Sequence, residues 1–353
     1  MKLHSARTSF FDNFAKKVSH PTPYFVTLPG ITNRNQQNFG KINAVTILQI
    51  PKFMAKIVVI GSTNTDLVIK TERIPEPGET VIGGSFMMTA GGKGANQAVA
   101  AARMGGSVIF VTKIGDDMFG KESQRHFIDE NLPPEYIFTE QGSPSGVALI
   151  TVDARGENCI VVAPGANDLL SRSDIDSVRS QIEAADFLLL QLEIPMEVVE
   201  YAADVAFKAG TKVILNPAPA APLSQELISK LYLITPNRTE CQLITKRLIN
   251  DEKGAEVAAA ILLASGAQNV IVTLGSRGAL VAEEGGRYEL VPAQHVVAVD
   301  TTAAGDVFNG ALCVALSDGR SLVEAATFAT KASAISVTRM GAQSSIPYRI
   351  EIK

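Results

Sequence analysis

Six times along the chain a short, almost uninterrupted apolar run stops at glycine or a polar residue. The runs fall within residues 56–66, 108–117, 186–193, 212–219, 231–240 and 269–278. Runs that are apolar on both faces suit strands covered on both sides, as in a parallel sheet. Between them lie helical stretches. Residues 195–210 begin on Pro195 and end on Gly210, the usual helix punctuation, and 95–105 and 255–266 read alike. Strand alternating with helix requires right-handed crossovers, which predicts a layered α/β/α domain around a mostly parallel central sheet.

Ligands of such sheets bind at the carboxyl ends of the strands. The sequence places Asn64, Asp66, Glu193, Asn216, Asn237, Glu240 and Thr273 there. Any one alone reads as a turn former or cap; together they mark a site. Residues 80–88, 147–153 and 158–162 are β-like but outside the alternation, the last two flanking a hairpin turn at 154–157. They predict a small β-lid built from segments near 66–90 and 146–163. A lid excludes water from phosphoryl transfer, and its exposed face suits a homodimer contact.

With 353 residues, 46% hydrophobic and 19% charged, the chain can bury a large core. A net charge of -4 and the lack of a basic patch argue against a nucleic-acid partner, and no apolar run is long enough to span a membrane. Cys159, Cys241 and Cys313 have neither disulfide nor zinc spacing and read as core thiols. His126 and His295 are isolated and read as surface or satisfied side chains. In residues 1–53, seven Lys and Arg face one acid, Asp12. That composition reads as a transit-like leader or an over-extended start before Met54. The second reading puts the protein in the cytoplasm; the first puts it in an organelle.

Chemistry concentrates at Asp300-Thr-Thr-Ala-Ala-Gly-Asp306, which runs into an apolar-periodic helix. Small residues at a helix start leave N–H groups open to an anion, so Ala303, Ala304 and Gly305 form a candidate anion hole. Asp306 is then either a helix cap or a base acting on a hydroxyl that attacks phosphate. Gly91-Gly-Lys-Gly-Ala-Asn-Gln97 is a second glycine-rich helix start, where Lys93 and Asn96 can reach one ligand; packing alone is the alternative. Asn237 and Glu240 have the spacing of a capping box and also suit a hydrated magnesium ion. Gly115 to Glu122 imitates a phosphate loop, but Glu122 stands where the metal-binding hydroxyl belongs.

From Met54 onward the chain resembles the ribokinase branch of the PfkB-type carbohydrate kinases. Eight motifs carry the likeness: Gly61-Ser-Thr-Asn-Thr-Asp66, Gly91-Gly-Lys-Gly-Ala-Asn96, Gln191-Leu-Glu193, Asn216-Pro-Ala-Pro-Ala220, Thr235-Pro-Asn-Arg-Thr-Glu240, Thr273-Leu-Gly-Ser-Arg-Gly278, Asp300 to Asp306 and Gly341-Ala-Gln-Ser-Ser-Ile-Pro347. The resemblance implies ATP-dependent phosphorylation of D-ribose on its 5-hydroxyl by a ribokinase-like domain spanning 54–353. It implies that Asn64, Asp66, Gly92, Lys93, Asn96 and Glu193 hold the sugar and that Asp306 is the base. It places Asn237, Thr273, Gly275, Ser276, Gly278 and Gly305 at ATP, with magnesium near Asn237 and Glu240. A potassium ion is implied at Asp300, Thr302, Ser336, Arg339, Gly341 and Ser345. The chain departs from the family pattern at Val307, where threonine is common, and at Arg238, where an acid is common. The rival readings are a kinase for another sugar or a nucleoside, and a regulator that binds without catalysis.

Overall fold

The computed structural model describes residues 56–353; the segment 1–53 lies outside the described residues. The chain begins with β1 (Ile57–Ile60), β2 (Asn64–Lys70), β3 (Ser85–Gly91), α1 (Lys93–Arg103), β4 (Val108–Gly115), α2 (Met118–Asp129), β5 (Ile137–Glu140), β6 (Gly146–Val152) and β7 (Asn158–Ala163). It continues with α3 (Arg172–Ser177), α4 (Arg179–Ala184), β8 (Phe187–Leu190), α5 (Met196–Ala209), β9 (Lys212–Leu215), α6 (Gln225–Ser229), β10 (Leu231–Ile234), α7 (Arg238–Thr245) and α8 (Glu252–Ala264). The last elements are β11 (Asn269–Thr273), β12 (Ala279–Glu283), β13 (Arg287–Val291), α9 (Ala304–Ser317) and α10 (Leu322–Ser336).

Nine strands form one sheet in the order β13-β12-β11-β10-β9-β8-β1-β4-β5. From β11 to β5 every pairing is parallel. All six apolar runs are strands of this sheet, and they are apolar because both faces are covered. Val58, Ile60, Leu188 and Leu190 pack with Ala202 and Ala203 of α5 and Ala258 of α8. Their neighbours Ile57, Val59 and Leu189 point the other way, onto Ala98 of α1, Ala311 of α9 and Ala329 of α10. Burying each large aliphatic side chain contributes about 1.5–3 kcal/mol. The alanines let the helices lie close to the sheet.

The lid is a separate four-stranded sheet, β3-β2-β6-β7, with β2 and β6 parallel. Three expectations are corrected. The first lid segment begins at Ser85 rather than residue 80, because Gly83 and Gly84 both have positive φ and interrupt an extended chain. Asn64 and Asp66 lie on lid strand β2, just beyond the end of β1, instead of ending a strand of the main sheet. Cys159 is exposed on β7, whose residues are all exposed, while Cys241 and Cys313 are buried as expected. Strands β5, β12 and β13 have no counterpart in the sequence reading; β12 and β13 form an antiparallel hairpin on β11. Among the described residues no helix is long and apolar enough to cross a membrane.

Candidate active site

The ends of β1 and β8 and the starts of α1 and α9 meet at one point. Helix α1 has no side-chain cap of its own, its N-cap Gly92 having φ 88. Glu193 fills that role from the loop after β8. Its Oε2 accepts from the Lys93 N–H at 3.0 Å and from Ser62 Oγ at 2.6 Å, and its Oε1 lies 4.0 Å from Lys93 Nζ. A carboxylate there is favoured by the positive end of the helix dipole. The same arrangement leaves Lys93 as a cation among acids. Burial lowers the lysine's affinity for its proton, but Asp306, Glu193, Glu240 and Asp66 outweigh this and hold its pKa above the ordinary value.

Asp306 is buried in the first turn of α9 and does not cap the helix; the N-cap position is Ala303, in the left-handed region at φ 59. Its Oδ1 accepts from Gln97 Nε2 at 2.9 Å and its Oδ2 from Asn96 Nδ2 at 3.0 Å. Burial pushes the carboxyl up from its usual range, against the opposing pull of Lys93 and the two amides. A carboxylate raised in this way is a better proton acceptor. The cap reading therefore gives way. At the candidate anion hole the first α-helical bond runs from Val307 N–H to Ala303 O, and the Ala304 N–H is engaged by Thr301 O at 3.2 Å. The donors that the turn leaves for an anion are those of Ala303, Gly305 and Asp306, so Ala304 is the one member of the expected hole already occupied.

At the start of β2, Asn64 Oδ1 accepts from Asn167 Nδ2 at 2.8 Å, leaving its amide nitrogen for a ligand. Asn167, fully tied to Thr63 and Asn64, is a positioning side chain that the sequence reading passed over; its place in a Pro-Gly-Ala-Asn turn looks like ordinary loop chemistry. Asn96 Oδ1 is buried and has no partner at all. Such an acceptor costs roughly 1–3 kcal/mol unless a ligand hydroxyl satisfies it. Gly91 lies against Asp66: a Cβ there would come 2.3 Å from its carboxylate, so the glycine motif serves packing as well as the site.

Asp66 is 8% exposed. Burial pushes its pKa up to about 7, with Glu193 and Asp306 adding to the rise and Lys93 opposing it. The folded carboxyl thus keeps a proton that the unfolded chain releases near pH 4, so stability falls as pH rises between about 4 and 7. An Asp66→Asn variant should lose about 1.4 kcal/mol per pH unit of that slope. Its melting temperature at pH 8 should exceed that of the wild type while sugar binding weakens; thermal melts across pH with a sugar titration check both.

A cavity of about 330 Å³ opens beside α9, lined by Thr273, Gly275, Ser276, Gly278, Ala304 and Gly305. Thus five of the expected nucleotide residues line one cavity; Asn237 does not. The lining also includes Phe308, Thr330, Ala334 and Val337, which helical periodicity marks only as core. His295 also lines the cavity and is exposed, whereas His126 is satisfied by Gln343 Oε1 at 2.7 Å. The volume and mainly apolar lining suit a planar nucleobase.

Asn237 and Glu240 do form a reciprocal capping box on α7, with Asn237 Nδ2 a further 2.7 Å from Glu240 Oε1. Both carboxylate oxygens are thereby engaged, which suits an ion held through its waters rather than by direct ligation. Arg238 is exposed and turned to solvent. At the other loop, Asp300 Oδ1 accepts from Thr302 N–H and Oγ1 and Oδ2 from Gly341 N–H. Burial pushes Asp300 up, but these bonds outweigh it and hold the carboxyl below its usual range. Ser336 and Ser345 are buried nearby in the fold, and the Arg339 side chain pairs with Glu351, so Arg339 could contribute only its backbone oxygen. An ionised carboxylate beside the Thr302 hydroxyl offers the kind of oxygen donor that a hard monovalent cation takes.

Residues 54–349 match the model of the pfkB family of carbohydrate kinases. The chain is 45% identical over 295 residues to a ribokinase of Haemophilus influenzae, covering 84% of this chain and 96% of that one. It is 38% identical over 292 residues to a deoxyribokinase of Salmonella typhi, covering 82% and 95%. Its fold matches the structure of Arabidopsis thaliana ribokinase complexed with ribose and ATP, with a TM-score of 0.78, 31% identity and 84% and 97% coverage.

Proposed function

The chain belongs to the pfkB family of carbohydrate kinases, and from that premise we propose that it transfers the γ-phosphate of ATP to the 5-hydroxyl of D-ribose. The observation that carries this is the placement of Asp306. It is a buried carboxylate held by two amides at a helix start, between the acid- and amide-rich wall of the lid and a nucleobase-sized cavity. Neutral vicinal hydroxyls are matched by acceptor carboxylates and two-way amides, which is what Asn64, Asp66, Asn96 and Glu193 present with Gly92 and Lys93. Asp306 takes the proton as the sugar oxygen attacks in line, while the open N–H groups at Gly305 and Asp306 receive the transferring phosphoryl group. Thr273, Gly275, Ser276 and Gly278 hold the nucleotide. Magnesium, held through water by Asn237 and Glu240, would neutralise phosphate charge. Potassium at Asp300, Thr302, Ser336, Arg339, Gly341 and Ser345 would steady the loop that shapes the anion hole.

The test is ADP release with Mg-ATP and D-ribose, 2-deoxyribose, fructose or adenosine, each with and without potassium. D-ribose should give the highest kcat/KM, and potassium should raise kcat. Preference for another substrate would move the specificity; ribose or ATP binding with no turnover would favour a regulator.

The lid also supports a homodimer. Residues Leu67, Met88, Leu149 and Val161 are cross-strand neighbours and so share one face, opposite that of the adjacent Asp66. Met88, Leu149 and Val161, with Ile69 and Phe86 in the next row, are exposed. An apolar patch of this kind marks an association surface. Replacing Leu149 and Val161 together by Asp should convert a dimer to a monomer in sedimentation equilibrium. A wild type that sediments as a monomer refutes the dimer. The free thiols fit a reducing compartment such as the cytoplasm; localisation of a fusion to residues 1–53 separates that from an organelle.

A further inference from the structure

Behind Asp306 lies a chain of neutral, buried side chains that none of the sugar or nucleotide contacts uses. Gln191 Nε2 donates to Gln97 Oε1 at 2.6 Å, and Gln97 Nε2 donates both to Asp306 Oδ1 at 2.9 Å and to Asn216 Oδ1 at 3.0 Å. Asn216 Nδ2 donates to Thr235 O, Thr235 Oγ1 to Asn309 Oδ1, and Asn309 Nδ2 to Gly305 O. Gln97, Gln191, Thr235 and Asn309 are all at most 1% exposed. The network therefore closes on both the carboxylate and the backbone of the candidate anion hole.

Its polarity is not arbitrary. If the Gln97 amide were reversed, its oxygen would face the Asp306 carboxylate, so Nε2 must point there and Oε1 must point to Gln191. Gln191 in turn must offer Nε2, and its own Oε1 is left buried with no partner. A stranded acceptor at the far end is what a relay oriented by a charge leaves behind, and packing alone gives no reason to keep it. The two oxygens of Asp306 are thus unequal. Oδ1 is fixed by a glutamine that is itself fixed at both ends; Oδ2 is met only by Asn96, whose Oδ1 has no partner.

We propose that Gln97 is a positioning residue that locks Asp306 through Oδ1, leaving Oδ2 as the oxygen that accepts the substrate proton. The inference rests on the phosphotransfer reading above. Asn96 is the displaceable contact: on binding, its amide turns to the sugar and yields Oδ2 to the attacking hydroxyl.

The experiment compares wild type, Gln97→Met and Gln97→Glu by kcat, KM and pH profile, with sugar binding by calorimetry and thermal melts alongside. Gln97→Met keeps the length and removes the donor. Its kcat should fall about 10- to 100-fold with KM for D-ribose changed less than about threefold. Because the lost bond favoured the charged carboxylate, the acidic limb of kcat should move to higher pH. In Gln97→Glu a protonated carboxyl can replace the amide donor, so relative activity should be highest at low pH and fall as the added group ionises. A Met variant that folds with wild-type kcat and an unmoved acidic limb overturns the proposal. A Met variant that does not fold passes the decision to Gln97→Glu, where a wild-type pH profile overturns it equally. A wild type inactive on every sugar would instead defeat the phosphotransfer reading itself.

Discussion

Asp306→Asn should lower kcat by about 10²- to 10⁴-fold, the range that a lost general base accounts for. Asparagine keeps the shape: its Oδ1 can still accept from Gln97 Nε2 and its Nδ2 can donate to Asn96 Oδ1 once that one amide turns, so the melting temperature should stay near wild type. D-ribose affinity measured by calorimetry should change only a few-fold, because the hydroxyl contacts proposed above lie mostly on β2 and α1. Removing a buried charge could even stabilise the fold, as burial raises the carboxyl here. Turnover within tenfold of wild type would exclude Asp306 as the base, and a collapse of sugar binding would make it a binding residue instead.

The second large effect should come from Gly94→Ala, which touches no ligand. A Cβ at Gly94 would lie 2.5 Å from Ser62 N and Gly61 C and 2.6 Å from Gly61 Cα, all backbone at the end of β1. Ordinary contact begins near 3.4 Å, so α1 must shift by nearly 1 Å. That helix carries Lys93, Asn96 and Gln97 into the site. Overpacking of this kind costs about 1–3 kcal/mol, and a 1 Å misplacement of reacting groups about 100-fold in rate. Both the melting temperature and kcat/KM should fall. Gly305→Ala makes the contrast, since a Cβ there meets nothing within 4 Å. Its stability should hold or rise slightly, by the helix propensity of alanine, while activity falls where the methyl crowds the phosphate. Equal loss of stability in both variants would refute the argument from close approach.

The family's motifs and the strand-helix alternation were legible because each depends on local order: an apolar run of four to eight residues, a glycine at a turn, a carboxylate at a helix start. The edge hairpin of β12 and β13 was not. Ala279–Glu283 is apolar enough for a core strand, and Arg287–Val291 is a mixed edge, so neither has a distinctive period. Asn64 and Asp66 were named as candidate site residues but placed on the wrong sheet, since two strands separated only by Gly61 to Thr63 read as one run with a polar tail.

The residue order alone determined the family and the parallel sheet, and it named Asp306 and the other candidate site residues. Those features are written in residue types at fixed local spacings. Only the tertiary structure decided which of two local readings holds. Asp306 turns from the helix start to Asn96 and Gln97, and Glu193 caps a helix 100 residues earlier in the chain. It also supplied Asn167, Gln97 and Gln191 as supports. A hydrogen bond between residues some hundred or two hundred positions apart depends on where the strands bring their ends together. No local pattern encodes that.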